Sequence, residues 1–307
     1  MNVCGIKSKL LSPDFSNLIE NYDILVFLES KTDKLDILDI PTDYDYFAKY
    51  RTKFKRKSGG IVIVYRKRLS KFIEFPHTES ECVQWISISN QLLSIDKTLL
   101  LGCIYIPPEN SLYSSDECFN AIETEMCNLL TNDCTIALIG DFNSRTKNKD
   151  DYVKPDDNLL QLLYVFDDQE LQNYMCDFET LVNQNVPLQR ISLDIANPNE
   201  FEHKLLNFCK GNSLFIANSR CAKDRGIGAV TKNNTAVVDY LLLSPTLFSS
   251  IKEFEIADFI LLFFDIHCGI HVTFHGRVTT DTTTPPITRS RIHWNATEQN
   301  RFVELQN

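Results

Sequence analysis

Ile136-Ala137-Leu138-Ile139-Gly140-Asp141-Phe142-Asn143-Ser144-Arg145 is the stretch on which the fold of this chain turns. Thr135 to Ile139 is a short apolar run, mostly branched, which is the pattern of a strand buried on both faces. Gly140 is expected to end that strand. Asp141 and Asn143 follow two residues apart, and in extended chain positions i and i+2 point the same way. A carboxylate and an amide are therefore expected side by side at the strand's C-terminal end, where open sheets place their sites. A strand closed by an Asx turn would account for the same residues with no site at all.

With 307 residues, 43% of them hydrophobic, the chain can bury one large core or two small ones. A net charge of −10 argues against a protein that holds nucleic acid by its total charge. The charge is uneven, however. Lys49 to Lys71 carries ten Lys or Arg and no acid, whereas Asp150 to Glu179 carries nine acids opposed only by Lys154. Such blocks are ordinarily solvated faces, but the basic one can also draw phosphates locally. Ten cysteines are scattered without a Cys-x-x-Cys pair, which argues against a zinc site. With no secretory leader, they read as reduced thiols of an intracellular protein, nuclear or cytoplasmic. No apolar stretch approaches the ~18 residues that a bilayer crossing takes, so no membrane partner is expected.

Along the chain, Ser12 and Pro13 open a helix as N-cap and first-turn residue, with Phe15, Leu18 and Ile19 on one face. Asp23 to Leu28 is a buried strand that ends in Glu29. Gly59-Gly60 turns into a strand at Ile61–Tyr65, Cys82 to Ser89 alternates as a half-exposed strand, and Leu99 to Ile106 is buried. Asp116 caps a helix to Leu130, whose stripe of Phe119, Ile122, Met126 and Leu129 is core. Beyond Asn143 the chain is acidic and irregular to residue 200, with a short helix at Asn158–Phe166. Helix Glu200–Lys210, strand Leu214–Asn218 and strand Val237–Leu241 follow. Thr279 to Pro286 is a linker, and Ser290 to Asn307 a short amphipathic helix.

Gly140-Asp141-Phe142-Asn143 resembles the signature of the endonuclease/exonuclease/phosphatase superfamily. Five other motifs match it in order: Asn2 and Gly5 of the first strand, Glu29 closing the second, Tyr105, Asp239, and His267 within Phe264–Ile270. Arg190-x-Ser192-x-Asp194, Leu205-Leu206-x-x-Cys209 and Asn218-Ser219-Arg220 are similar to the endonuclease domains of non-LTR (LINE-like) retrotransposons. The resemblance covers residues 1–276 and leaves 277–307 as linker and a short C-terminal segment.

The resemblance implies a four-layer α/β sandwich of the deoxyribonuclease type, with two mixed sheets face to face and helices outside. It implies a monomer that hydrolyses DNA phosphodiesters with Mg²⁺ or Mn²⁺. Glu29 would hold the metal, with Asp265 a second candidate ligand. His267, oriented by Asp239, would touch the phosphate or take a proton from water, and Asp141 would transfer a proton at the leaving group. Asn2, Asn143 and Tyr105 would position phosphate oxygens, while Lys53, Lys55, Arg56, Lys57 and Arg145 would meet the nucleic-acid backbone. The family's Ser-Asp-His motif is altered, because Ile266 stands where the acid belongs and Asp265 one residue early. Cys4 also stands where the apurinic-endonuclease branch has an acid. A degenerate copy that keeps the fold as a binding module or relic, and a phosphomonoesterase or phosphoinositide phosphatase, are the competing readings.

Overall fold

Ser12 stands at the N-cap and Pro13 in the first turn of α1 (Pro13–Glu20), which buries Phe15 and Ile19. In the computed structural model, which describes residues 1–52, 56–114, 117–154, 178–260 and 266–277, the branched apolar runs then become strands. They are β1 (Ile24–Leu28), β2 (Tyr44–Lys49), β3 (Ile61–Arg66), β4 (Ile73–Glu74), β5 (Val83–Ile88) and β6 (Thr98–Tyr105). Helix α2 (Cys118–Leu129) leads into β7 (Cys134–Asp141), and α3 (Glu179–Asn183) and α4 (Phe201–Gly211) come next. The described chain closes with β8 (Phe215–Ile216), β9 (Asp239–Leu243), β10 (Ile251–Ile256) and β11 (Ile270–Phe274).

Six strands form a mixed sheet in the order β4-β5-β6-β7-β9-β8. Only β6 and β7 run parallel, joined by the α2 crossover. Alternation along each strand divides its side chains between two cores. Ile86, Ile88, Leu99, Ala137 and Leu241 face Leu28, Ile61 and Ile63 of the smaller sheet β1-β3-β2. Val83, Trp85, Leu100 and Leu138 face Phe119, Ile122 and Met126 of α2 and Phe201, Leu205 and Phe208 of α4. The outer face of the smaller sheet, through Leu25, Phe27, Val62 and Val64, covers Phe15 and Ile19 of α1. Each large side chain buried in this way contributes about 1.5–3 kcal/mol. The result is a four-layer α/β sandwich with helices outside, as expected.

Several local expectations are corrected. The layer facing the six-stranded sheet consists, among the described residues, of antiparallel β1-β3-β2, to which Asn2 adds a parallel bridge at Leu28, and of the β10-β11 hairpin. β5 is buried on both faces rather than half-exposed, because Val83 and Trp85 pack under α2 while Ile86 and Ile88 on its other face meet the smaller sheet. Gly140 does not end β7, which runs on to Asp141. Its φ is +151°, and a Cβ there would lie 2.0 Å from the Ile104 carbonyl oxygen, so glycine is required by the approach of β6. Cys82 and Cys118 are joined by a disulfide rather than held as thiols, because β5 and α2 bring together positions 36 residues apart. The expected cap at Asp116 and the helices at 158–166 and 290–307 lie outside the described residues.

The acidic stretch holds the largest departure. Asp151 is fully buried and takes a bidentate ion pair from Arg220, at 2.6 Å and 2.8 Å. The backbone N–H of Ile216 donates to the same carboxylate at 2.8 Å, and Arg190 Nε lies 3.7 Å from it. Arg220 also donates to the carbonyls of Pro187, Leu188 and Ile216. Arg190 reaches the Lys149 carbonyl and the Thr146 hydroxyl. The two arginines singled out in the sequence thus tie the chain that follows Asn143 to β8 and to the segment before Arg190.

Candidate active site

Tyr105, Asp141 and Asp239 stand on one rung of the sheet, since Tyr105 pairs with Asp141 across β6-β7 and Asp141 with Asp239 across β7-β9. Residues opposite one another on neighbouring strands send side chains to the same face. Three residues far apart in sequence therefore converge at one rim. From the smaller sheet, Asn2 forms a single parallel bridge with Leu28, the last residue of β1, and Glu29 follows at φ 53°.

Asp141 is at the centre. Asn2 Nδ2 donates to its Oδ2 at 3.0 Å, and the Asn143 backbone N–H donates to Oδ1 at 3.0 Å. The second bond is an Asx turn, and Asn143 has φ 47°, so Asp141 and Asn143 are not side by side through strand alternation as expected. The turn instead sends Asn143 Nδ2 to the Ile106 carbonyl at 2.8 Å, leaving its Oδ1 to accept from Lys232 Nζ at 3.3 Å. His267 Nδ1 is 2.7 Å from Asp239 Oδ2, and its Nε2 is 3.7 Å from Asp141 Oδ2.

Burial, then the neighbouring Asp239 charge, pushes the Asp141 carboxyl up to about 6, against the opposing pull of His267, Lys232 and Asn2. Burial works against the charged form of His267, but Asp239 and Asp141 outweigh it and raise its pKa. Burial also raises the Tyr105 hydroxyl, reinforced by Glu29 and Asp141. The Arg51 guanidinium lies over the Tyr105 ring, 5.3 Å from its centroid. Lys31 Nζ sits 3.2 Å from Glu29 Oε1 and donates to Cys4 Sγ at 2.8 Å. Asp141, Asp239 and His267 are, among the described residues, the group of three that could hold a metal ion.

The structure thus brings together Asn2, Tyr105, Asp141, Asn143, Asp239 and His267, with Glu29 on the same rim. Asp265, Lys53 and Lys55 lie outside the described residues. Arg56 is exposed, whereas Lys57 is engaged by Asp33 and Asp36 at 2.8 Å and 2.6 Å. Arg145 donates to the Asn197 carbonyl at 3.1 Å.

Sequence reasoning missed Lys232 and Thr231, and it named Asn218 within a motif without giving it a part in the site. Lys232 is placed by a two-residue turn whose central residues, Asn233 and Asn234, have φ 51° and 53°, closed by Thr235 N–H donating to the Lys232 carbonyl at 3.0 Å. An Asn-Asn pair is suited to this turn, and that was the available signal. Thr231 Oγ1 accepts from the N–H groups of Val238 and Asp239, and Asn218 exchanges hydrogen bonds with the Asp239 carbonyl and the Leu241 N–H. Together they fix the start of β9 and with it Asp239.

No protein-family model matches the chain, and neither does any curated protein. Solved structures do. A 3'-5' exonuclease from Neisseria meningitidis matches with a TM-score of 0.54 at 14% identity, over 89% of this chain and 97% of its own. An AP endonuclease from Archaeoglobus fulgidus matches with a TM-score of 0.56 at 12% identity, over 89% and 96%. The fold is that of the endonuclease/exonuclease/phosphatase proteins. The endonuclease domain of TRAS1, a telomere-specific non-LTR retrotransposon, shares this endonuclease/exonuclease/phosphatase fold with a TM-score of 0.53 at 9% identity, over 90% and 95%. At such identities the likeness speaks for the fold alone.

Proposed function

We propose that this chain is a divalent-metal-dependent phosphodiesterase that nicks DNA, a single retrotransposon-derived endonuclease domain spanning residues 1–276. The observation that carries the reading is the line of polar contacts Asp239–His267–Asp141–Asn2 on the sheet rim. It contains an imidazole oriented by one buried acid and set beside a second acid of raised pKa. Structures of this fold include a 3' phosphatase bound to product DNA hairpin, which favours DNA as the substrate.

Hydrolysis joins a water oxygen to phosphorus, breaks the bond to the leaving oxygen, and moves one proton from the water and one to the leaving group. With a carboxyl pushed up to about 6, Asp141 can hold a proton near neutral pH and give it to the leaving oxygen. His267, held by Asp239, takes the water's proton or, when charged, binds a phosphate oxygen. Lys232 and Asn143 stand beside Asp141 as further partners for the phosphate. A divalent ion, when bound, supplies charge neutralisation at the phosphate. Glu29 fits that task, because Lys31 Nζ already sits against its Oε1 as a cation at 3.2 Å.

Nicking of a supercoiled plasmid with and without divalent metal tests the proposal. Activity should depend on metal and fall about 10²–10⁴-fold in Asp141→Asn. Metal-independent nicking, or an unaffected Asp141→Asn, would overturn it. Ile266, 40% exposed beside His267 in place of an acid, favours a second reading in which the domain binds DNA without cutting it. DNA binding without nicking in the same preparation would select that reading.

A further inference from the structure

Cys4, Glu29 and Lys31 meet at one point of the site rim. Cys4 Sγ lies 3.9 Å from Glu29 Oε1, and Lys31 Nζ bridges them at 2.8 Å from the sulfur and 3.2 Å from the oxygen. All three residues reach this point from left-handed backbone, with φ of 47°, 53° and 52°, a region that non-glycine residues seldom occupy. The thiol is directed there by the Cys4 N–H, which donates to Asn2 Oδ1 at 3.1 Å. The amide that braces Asp141 therefore also sets the sulfur. The gap between sulfur and carboxylate is already a cation site, since it holds an ammonium on both donors. It is also reachable from solvent, with the Glu29 side chain 23% and the Lys31 side chain 33% exposed.

Resting on the reading of Glu29 as the metal carboxylate, we propose that the ion taken here is a thiolate-binding divalent transition ion of the Zn²⁺ or Co²⁺ class, not Mg²⁺. Cys4 Sγ and Glu29 Oε1 are two of its ligands. Zinc takes sulfur at about 2.3 Å and carboxylate oxygen at about 2.0–2.2 Å. Two donors 3.9 Å apart can therefore share one such ion without rearrangement of the backbone. Mg²⁺ demands oxygen ligands and gains nothing from the thiol, so sulfur beside the carboxylate shifts selectivity toward softer ions. On binding, the Cys4 S–H bond breaks, its proton leaves to solvent, and sulfur bonds to the metal as thiolate. Lys31 gives up the gap and keeps its charge, so the ammonium and the metal compete.

Titration of the purified full chain with Co²⁺, followed by the near-ultraviolet thiolate-to-cobalt charge-transfer band, tests this independently of catalysis. The natural protein should show the band, and a large excess of Mg²⁺ should not displace it. Cys4→Ser should abolish the band and weaken binding at least about tenfold, since loss of even a ligand's hydrogen-bond partner typically costs about 10–100-fold in affinity. Lys31→Met should tighten binding, with circular dichroism confirming that both variants are folded. Binding without the band, a band that survives Cys4→Ser, or no Co²⁺ binding would overturn the proposal. An intact band in a protein that does not nick DNA with any metal would refute the catalytic reading and leave the ion site standing.

Discussion

Replacing Asp151 tests how far the site depends on a buried charge well behind it. Its carboxylate is completely buried and is the shared counter-charge of Arg220, also fully buried, and Arg190, whose side chain is 3% exposed. Breaking a buried pair by removing one partner costs about 3–5 kcal/mol. Asp151→Ala also strips the acceptor from the Ile216 N–H, which adds about 1–3 kcal/mol. The total of about 4–8 kcal/mol is comparable with the whole stability of a typical domain, about 5–15 kcal/mol. Asp151→Ala is therefore expected to be unfolded or barely folded. Asp151→Asn keeps an acceptor for Ile216 and isolates the charge, at about 3–5 kcal/mol.

Urea unfolding followed by circular dichroism measures the difference for Asp151→Asn. A loss below about 1 kcal/mol, the size of an ordinary surface change, would refute the claim that Asp151 organises this region. Acid unfolding gives a second check. Burial by itself would raise the Asp151 pKa, but the charge and hydrogen bonds of Arg220 lower it. A carboxylate with a depressed folded pKa contributes stability that is fully present above its unfolded value of about 3.9. That contribution is lost as pH falls through the lower folded pKa. The natural protein should lose it only below that range, and Asp151→Asn should lack this part of the acid slope.

Two further predictions concern the chemistry. Changing Asp265→Ser together with Ile266→Asp should raise the nicking rate on the order of 10²-fold if an acid before His267 serves in proton transfer; no gain at a fixed metal concentration would count against the missing acid. In Asp239→Asn, the His267 imidazole titration seen by NMR should move to lower pH, because the acid that raises it is gone while burial remains. The sign carries into stability. The raised histidine contributes stability fully present below its unfolded value of about 6.5 and lost as pH rises through the folded pKa. Asp239→Asn should flatten that dependence, and an unmoved histidine titration would show that the 2.7 Å contact does not govern its protonation.

The strands, the helix stripes and most of the site were legible in the sequence, because each rests on local information. Branched runs make buried strands, and apolar residues at helical spacing make the faces of α1, α2 and α4. The motif residues Asn2, Glu29, Tyr105, Asp141, Asp239 and His267 stand at or near strand ends, so their convergence followed once the fold was inferred from resemblance. What the sequence could not decide was which polar residues would find partners. Asp151 sits in an acidic run that reads as a solvated face, yet Arg220, 69 residues away, makes it one of the most deeply buried charges among the described residues. Lys57 belongs to a basic block that reads as free for phosphate, yet Asp33 and Asp36 take it. Lys232 enters the site only because an Asn-Asn turn folds its hairpin against His267. Apolar burial is scored by the side chain itself and leaves a periodic trace along the chain. A charge or an amide is worth burying only with its partner, and the partner's position is a property of the tertiary structure alone.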